Sequence, residues 1–429
     1  MTGLFLLAST SLSFGVPSVS AGLAFHEALA RVSREGRAVL VARRSAAMAH
    51  EDVGRARSPL LPQVSANAGR QHYVYQPASV LGGSKIFTAQ KDFNFAGLGV
   101  YQTLYDFGAS GSGLKAARVG EEAVSDEIRR VQNQAALEFI GAYFDLLETD
   151  RLVAVARDTV SSLASHLKDV TILWREGVSM KNDLLTVRVK FSAARQNLVA
   201  LKNVRLAGLT RIKALLALDD KTPLLLDDPE IAQMQPSLKE AQAMAAANRP
   251  ELQLLEKAAR ASEFREEAAR SGDKPVLFAN GGYNYAQNRY QARDDNWALS
   301  LGVRFNIFDG GLTKAETARE KAQHEQILEQ RRKATDDIRS EVEKAYRDLD
   351  TATSQISASR TAIRQAEENL RVNRVRYKEG AGTSTEVLDA LTLLSGTKTD
   401  LWKSVYERKR ARARLLYTMG RDIGEEYIK

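Results

Sequence analysis

Between Trp297 and Ile307 the chain alternates strictly: Trp297, Leu299, Leu301, Val303, Phe305 and Ile307 are separated by Ala298, Ser300, Gly302, Arg304 and Asn306. A period of two places these sets on opposite sides of a β-strand, so the segment predicts a strand with one apolar and one polar face. A less regular copy runs from Asn94 to Leu104, where Leu98, Val100 and Leu104 keep the spacing. Segments led by Pro62 and Pro275, which carry Tyr73, Tyr75, Tyr283 and Tyr285, supply two more strand candidates. Polar loops at Gln76 to Asp92 and Gln287 to Asp295 join the strands in pairs, giving four strands per chain.

After each pair the period changes. Val124, Ile128, Val131, Ala135, Phe139, Ala142, Leu146, Thr149, Val153, Ala156, Val160, Leu163, Leu167, Val170 and Trp174 recur by threes and fours with one inserted step. This is a coiled-coil seam with one stutter. A continuous helix from Gly111 to Trp174 would be about 95 Å long at a rise of 1.5 Å per residue. Gly177 interrupts the pattern, and Leu184, Val187, Phe191, Ala194, Leu198 and Leu201 resume it, so a helical hairpin is expected with its tip far from the strands. Gly380 stands at the matching place in the second half. Positions 78 to 222 and 276 to 429 hold no proline, which leaves long elements uninterrupted.

The two halves are copies. An offset of 213 lays Pro62 to Gly69 (PQVSANAG) on Pro275 to Gly282 (PVLFANGG); an offset of 203 then lays Leu104-Tyr105-Asp106 on Ile307-Phe308-Asp309 and Trp174-Arg175-Glu176-Gly177 on Tyr377-Lys378-Glu379-Gly380. One slip of ten residues, between Gly69 and Leu98, is the only gap required. The expected organisation is a secretory signal over 1–21, a first repeat of a helix, two strands and a long helical hairpin over 22–222, a linker over 223–236, and a second such repeat over 237–429. The signal has its apolar stretch at Leu4 to Val16 and a small-residue cleavage pattern at Val19-Ser20-Ala21, but no basic residue before the stretch.

Composition narrows the function. Lys and Arg number 61 against 53 Asp and Glu, a net charge of +8, yet the signs alternate along the helical segments as on a solvated surface rather than clustering as nucleic-acid binding requires. No apolar run of 18 residues occurs, which excludes a polytopic helical membrane protein and leaves membrane β-strands open. Cysteine is absent and the five histidines are scattered, so neither a metal centre nor a cofactor is expected, and no nucleophile motif or phosphate loop suggests an enzyme. The strand at 297 to 307 has the length of a tilted membrane strand, with Trp297, Leu299, Leu301, Val303 and Phe305 as its lipid-facing residues. Four strands cannot close a barrel in a bilayer, so several copies must pool them.

With these features the chain resembles the TolC family of outer-membrane channel proteins. The duplicated Pro-led strands, the turns Leu104 to Gly108 (LYDFG) and Ile307 to Gly311 (IFDGG), and the hairpin Arg376 to Ala390 (RYKEGAGTSTEVLDA) carry the resemblance, which spans essentially the whole chain after the leader. It implies a mostly α protein with membrane β-structure: a homotrimer whose shared outer-membrane barrel continues into a periplasmic α-barrel of coiled-coil hairpins. The implied partners are a periplasmic adaptor and an inner-membrane transporter, either ABC-type or proton-driven.

The resemblance also bears on the hairpin tips. Glu386 and Asp389, three apart on one helix face, match family positions that hold two Asp and would form stacked acidic rings at a periplasmic constriction. The same residues also fit a helix start, with Thr383 and Glu386 as a capping box and Asp389 favoured by the dipole. Asp183 and Tyr377 match an acid and a tyrosine of the family's closed-state links, while Gly382 stands where an arginine is expected. The exposed turns, with Gly177, Val178, Gly380, Gly382 and Thr383, are the expected adaptor-docking tips.

The leading functional expectation is the exit duct of a tripartite export system. Type I protein secretion is favoured over multidrug efflux because a lipid-anchor cysteine is absent. A periplasmic adaptor with a single coiled-coil hairpin is the further alternative, and two hairpins in tandem speak against it.

Overall fold

The computed structural model describes residues 24–219, 222, 224, 226–229 and 236–428. The expected leader, 1–21, lies outside the described residues, as does much of the linker 223–236.

Each repeat opens with two helices where the sequence suggested one. In the first, α1 (Phe25–Glu35) gives way to α2 (Arg37–Arg57) at Gly36, whose ψ of 140° breaks the helical turn. Strand β1 (Gln63–His72) follows, then a small hairpin of β2 (Ala78–Leu81) and β3 (Ser84–Phe87), then β4 (Asp92–Tyr105). The helices α3 (Ala109–Arg175) and α4 (Lys181–Leu215) complete the repeat. In the second, α5 (Leu238–Asn248) ends where Pro250 starts α6 (Pro250–Arg270), because proline lacks the N–H and holds Arg249 extended. Strands β5 (Val276–Ala286) and β6 (Asp295–Arg304) lead to α7 (Leu312–Lys378), α8 (Ser384–Thr418) and the short α9 (Ile423–Ile428).

The duplication is visible in the lengths. Helices α3 and α7 have 67 residues each, about 100 Å, and α4 and α8 have 35 each. The slip of ten residues falls on the β1–β4 connection, and the loop expected to be polar and irregular there contains the β2–β3 hairpin.

The long strands form one antiparallel sheet in the order β1-β4-β5-β6. Their helices keep that order: α2 packs on α3, α6 lies between α3 and α7. Further along, the returning helices take over, with α4 against α3 and α8 between α3 and α7. The main core surrounds the middle of α3, where Phe139, Ile140 and Phe144 meet Phe25 of α1 and Tyr406 of α8. Beside it the described linker residues are tied down: the Tyr143 hydroxyl donates to the Asp227 carboxylate (2.8 Å) and Lys409 pairs with Asp228. A second apolar cluster lies near the hairpin tips, with Leu163 and Val170 of α3, Leu184 and Val187 of α4, Leu370 of α7, and Val387 and Leu391 of α8.

Glycine in the sheet and glycine in the helix have opposite consequences. A Cβ on Gly282 would stand 2.4 Å from the Leu98 carbonyl oxygen of the neighbouring strand, whereas one on Gly113 in α3 meets open space. Gly282→Ala is expected to destabilise the fold by about 1–3 kcal/mol and Gly113→Ala to stabilise it by about 0.5–1 kcal/mol. Thermal unfolding followed by circular dichroism checks both signs.

Candidate functional site: a two-faced sheet and the helical tips

Residues directly opposite one another in adjacent strands share a face. The rows Ala66, Leu98, Tyr283, Trp297 and Val64, Val100, Gly281, Leu299 therefore build one side of the sheet, continued by Leu301 and Val303. The middle of this side is apolar and uncovered, with Trp297 75% exposed, Leu299 83%, Leu301 72% and Val303 65%, while Arg70, His72, Asp92 and Asp295 border it at the loop end. Phe305, expected on the same strand, lies beyond it. Arg304 opposite Val276 is the last rung, since Pro275 has no N–H to extend the ladder.

The other side carries Ser65, Asn67, Asn280, Asn284, Asn296 and Ser300, with Gly97, Gly99 and Gly282 between them. It is the crowded side: a Cβ on Gly97 would meet Asn67 Oδ1 at 2.6 Å and Asn284 Oδ1 at 3.1 Å. Two aromatic rings fill gaps left by glycine, Phe95 over Gly69 and Phe278 over Gly302. The sheet thus has one exposed apolar face and one polar face of amide, hydroxyl and glycine positions.

Matched turns join wall to helices. Asp106 Oδ2 accepts from the Ser110 N–H (2.8 Å) and Asp309 Oδ2 from the Thr313 N–H (2.8 Å), capping the first turns of α3 and α7. The Thr313 hydroxyl first, then the Thr313 and Gly311 backbone N–H groups, hold the Asp309 carboxyl at about 2, below the usual carboxylate range. The sequence shows the aspartates as matched positions; their role emerges from the hydrogen bonds.

At the far end the tips are built alike. Gly177 (φ +77°) and Gly380 (φ +70°) adopt the left-handed conformation that ends a helix, with Val178 N–H bonded to Leu173 O (2.9 Å) and Ala381 N–H to Arg376 O (2.8 Å). Val178 is 69% exposed and Thr383 is also exposed. Thr383 Oγ1 accepts from the Glu386 N–H (3.3 Å) while Glu386 Oε2 accepts from the Thr383 N–H (3.2 Å), the complete capping box. Glu386 also pairs with Arg376 Nη1 (3.7 Å), whose Nη2 donates to the Ala381 carbonyl (3.1 Å), so Arg376 lies over the turn containing Gly382. Asp389 is exposed.

Asp183 and Tyr377 are neighbours without a mutual hydrogen bond. Asp183 accepts from Ser179 Oγ (3.3 Å), while the Tyr377 hydroxyl is buried without a partner and burial pushes it up. The Tyr377 ring meets His166 edge-on at 5.2 Å, and His166 Nε2 lies 3.0 Å from Ser384 Oγ at the start of α8. His166 is buried and joins α3 to both arms of the second hairpin. The sequence offers no signal for it beyond an isolated histidine.

Among the described residues no group of three or more His, Asp or Glu side chains is placed to hold a metal ion, and no helix is long and apolar enough to cross a membrane. The profile of the outer membrane efflux protein family matches residues 29–218 and again 230–421. The chain belongs to this family. It is 21% identical over 380 residues to the outer membrane protein TolC of Vibrio cholerae, covering 84% of this chain and 82% of that one. To the alkaline protease secretion protein AprF of Pseudomonas aeruginosa it is 23% identical over 382 residues, with 85% and 77% covered. Among solved structures, the fold superposes on VceC of Vibrio cholerae (TM-score 0.76, 13% identity, 92% and 95% covered) and on the open state of MtrE from Neisseria gonorrhoeae (TM-score 0.75, 18% identity, 93% and 89% covered). This efflux-family chain is an outer-membrane channel protein of the TolC type, internally duplicated, whose helical part extends into the periplasm.

The buried imidazole makes the tip of this channel sensitive to acid. Burial pushes His166 down; Asp169 on its own helix and Asp183 on α4 oppose that shift, while Arg374 on α7 adds to it. A histidine depressed in the packed state stabilises that state above its ordinary value near 6.5 and withdraws the contribution as pH falls through the depressed value. The tip packing is expected to weaken as pH falls below about 6.5, and His166→Gln to remove this dependence. Hydrogen exchange of α8 amides against pH, in both proteins, checks it.

Proposed function

We propose that this chain is the exit duct of a tripartite export system, working as a homotrimer with a periplasmic adaptor and an inner-membrane transporter. The carrying observation is the sheet: four strands with one lipid-compatible face and two unpaired edges, β1 and β6. Three copies supply twelve strands, enough to close a barrel around an aqueous lumen. In this reading Trp297, Leu299, Leu301 and Val303 face lipid, with Phe305 just below them. The repeats, 22–222 and 237–429, then place equivalent helices around the periplasmic tube, with 223–236 as an equatorial strap.

A polypeptide cargo, as in type I secretion, is supported by the polar face. Its inward positions on the four long strands are amides, hydroxyls, glycines, aromatic and small apolar groups, with Arg304 as the single ionised side chain. Such a surface binds neither sign of charge strongly, so an extended chain of mixed charge slides past it. AprF, a relative named for protease secretion, agrees with this; BepC of Brucella suis, an outer membrane efflux protein 21% identical over 380 residues, keeps drug efflux as the second reading. Removing the chain from its host is expected to abolish release of a secreted polypeptide while leaving tolerance to detergents and dyes unchanged. The reverse result assigns drug efflux.

In the closed duct, Glu386 and Asp389 line the periplasmic constriction, Asp183 and Tyr377 link neighbouring hairpins, and Gly177, Val178, Gly380, Gly382 and Thr383 receive the adaptor. Replacing the usual arginine by Gly382 loosens this closure. A Cβ at Gly382 would stand 3.0 Å from Glu386 Oε2 and 3.1 Å from the Arg376 Cβ, so Gly382→Arg displaces Arg376 and adds a competing guanidinium. The expected single-channel conductance of Gly382→Arg is below that of the wild type; equal values count against the weakened lock. Gly380→Leu is expected to abolish export with trimers intact, and loss of trimers would reduce the glycine to a turn-former.

A further inference from the structure

At the helical end of the sheet the apolar side continues past the strands. Tyr105 stands opposite Leu277, and Leu277 opposite Val303, so Tyr105 belongs to the apolar side at the foot of β4. The Phe107 ring meets it at 4.8 Å between centroids. In the second repeat Ile307 and Phe308 follow β6, 88% and 87% exposed, and the offset of 203 lays Leu104-Tyr105 on them. An exposed rim of aromatic and aliphatic side chains at the end of an apolar wall has the composition of a membrane–water interface.

Cations border this rim in both repeats. Ile307 and Phe308 line a cleft of about 550 Å³ between the end of α6 and the start of α7, together with Arg270, Lys314, Thr317 and Lys321. The offset of 213 lays Arg57 on Arg270, and the offset of 203 lays Arg118 on Lys321. α2 packs on α3 as α6 packs on α7, so the first repeat carries a matching pair of cations at the equivalent place. All five basic residues are exposed. The acids of the cleft are each engaged: Glu266 pairs with Arg270, Asp273 with Lys274 (3.7 Å), and Asp309 accepts from the Gly311 and Thr313 N–H groups (2.9 and 2.8 Å). Lys314 and Lys321 have no acidic partner among the described residues, and neither have Arg57 and Arg118.

Their depth fits as well. Arg57 and Arg270 end α2 and α6, and Lys314 lies in the first turn of α7. Arg118 and Lys321 each stand nine residues after the first residue of their helix. That is about 14 Å at a rise of 1.5 Å per residue, and long stems carry the charged ends back toward the strands. The headgroup layer outside a hydrocarbon core of about 30 Å is roughly 5–8 Å deep. With the strands in hydrocarbon, these charges stand at the level of the headgroups.

We propose that this cleft and its counterpart in the first repeat bind the phosphate groups of phospholipids in the periplasmic leaflet, six to a trimer. The proposal rests on the lipid-facing, trimeric reading above. The rim takes the first carbons of the acyl chains, and the unpaired cations take the phosphate. α6 lies between α3 and α7, so the cleft opens on the flank of α7 turned away from the β6 edge, and a copy joined along that edge does not fill it. Six such attachments fix the depth of the barrel in the bilayer, and with it the height at which the helical tube begins.

The test places the full-length chain in bilayers of phosphatidylethanolamine and phosphatidylglycerol with a trace of photoreactive phosphatidylglycerol, its reactive group either in the headgroup or at the end of an acyl chain. The headgroup probe is expected to label 104–108 and 305–312, and the acyl probe 297–303. Lys314→Gln combined with Lys321→Gln is expected to lower headgroup labelling of 305–312 about tenfold and to leave that of 104–108 unchanged; Arg57→Gln combined with Arg118→Gln does the reverse. Headgroup labelling equal to wild type in both variants overturns the proposal. So does labelling that excess inorganic phosphate abolishes, since the cations then serve a soluble anion. Acyl labelling of 297–303 without headgroup labelling of 305–312 removes the cleft as a lipid site and leaves the lipid-facing wall standing; no acyl labelling of that strand removes both.

Discussion

In hydrocarbon a backbone N–H or C=O without a partner costs several kcal/mol, and no water is present to relieve it. Every long strand of this chain satisfies its inner neighbours, yet the outer rows of β1 and β6 pair with no other strand among the described residues. That single deficit governs the molecule. In the proposed barrel the apolar face of β6 lies in lipid, lipid forbids open edges, and four long strands do not close the circle alone. On that reading assembly is a condition for insertion rather than a later refinement of an already finished protein.

The same arithmetic explains the length and order of the helices. Each strand continues into or from one helix, so the sheet order β1-β4-β5-β6 becomes the helix order α2-α3-α6-α7 without a crossing. The turns that convert extended chain to helix are short and stiff, fixed by Asp106 and Asp309 on the first free N–H groups. Wall and tube are therefore coupled: the spacing of strands sets where the helices begin. Two 67-residue helices without a proline then carry that spacing about 100 Å away, at which point the second apolar cluster gathers all four hairpin arms, two outgoing and two returning.

Much of this was legible in the sequence because it is periodic. The alternation at Trp297 to Val303, the threes and fours of Val124 to Trp174 and the paired glycines each report a local geometry that needs no knowledge of distant partners. What escaped is what depends on contacts between remote positions or on short pieces. β2 and β3 have four residues each, with Val80 and Leu81 adjacent rather than alternating, so they read as loop. The break at Gly36 sits inside an apolar pattern that continues on either side of it. Arg376 over the Gly382 turn, and His166 against Ser384 across 218 residues of chain, follow from how the hairpins cross, which no spacing encodes.

The two tips, alike in backbone, differ in how firmly their second helices start. Thr383 and Glu386 close a full capping box on α8; at the equivalent place α4 begins at Met180, which offers no side-chain cap. A cap is worth about 1 kcal/mol, so the second hairpin holds its shape more rigidly than the first. Its attachment to the rest of the tube is narrower. α8 packs extensively on α3 and only lightly on α4, with polar links to α3 at His166–Ser384 near the tip and Thr159–Ser395 further along. The energy resisting movement of this hairpin lies in the apolar cluster of Leu163, Val170, Leu370 and Val387 and in the buried imidazole beside it, not in the turns themselves.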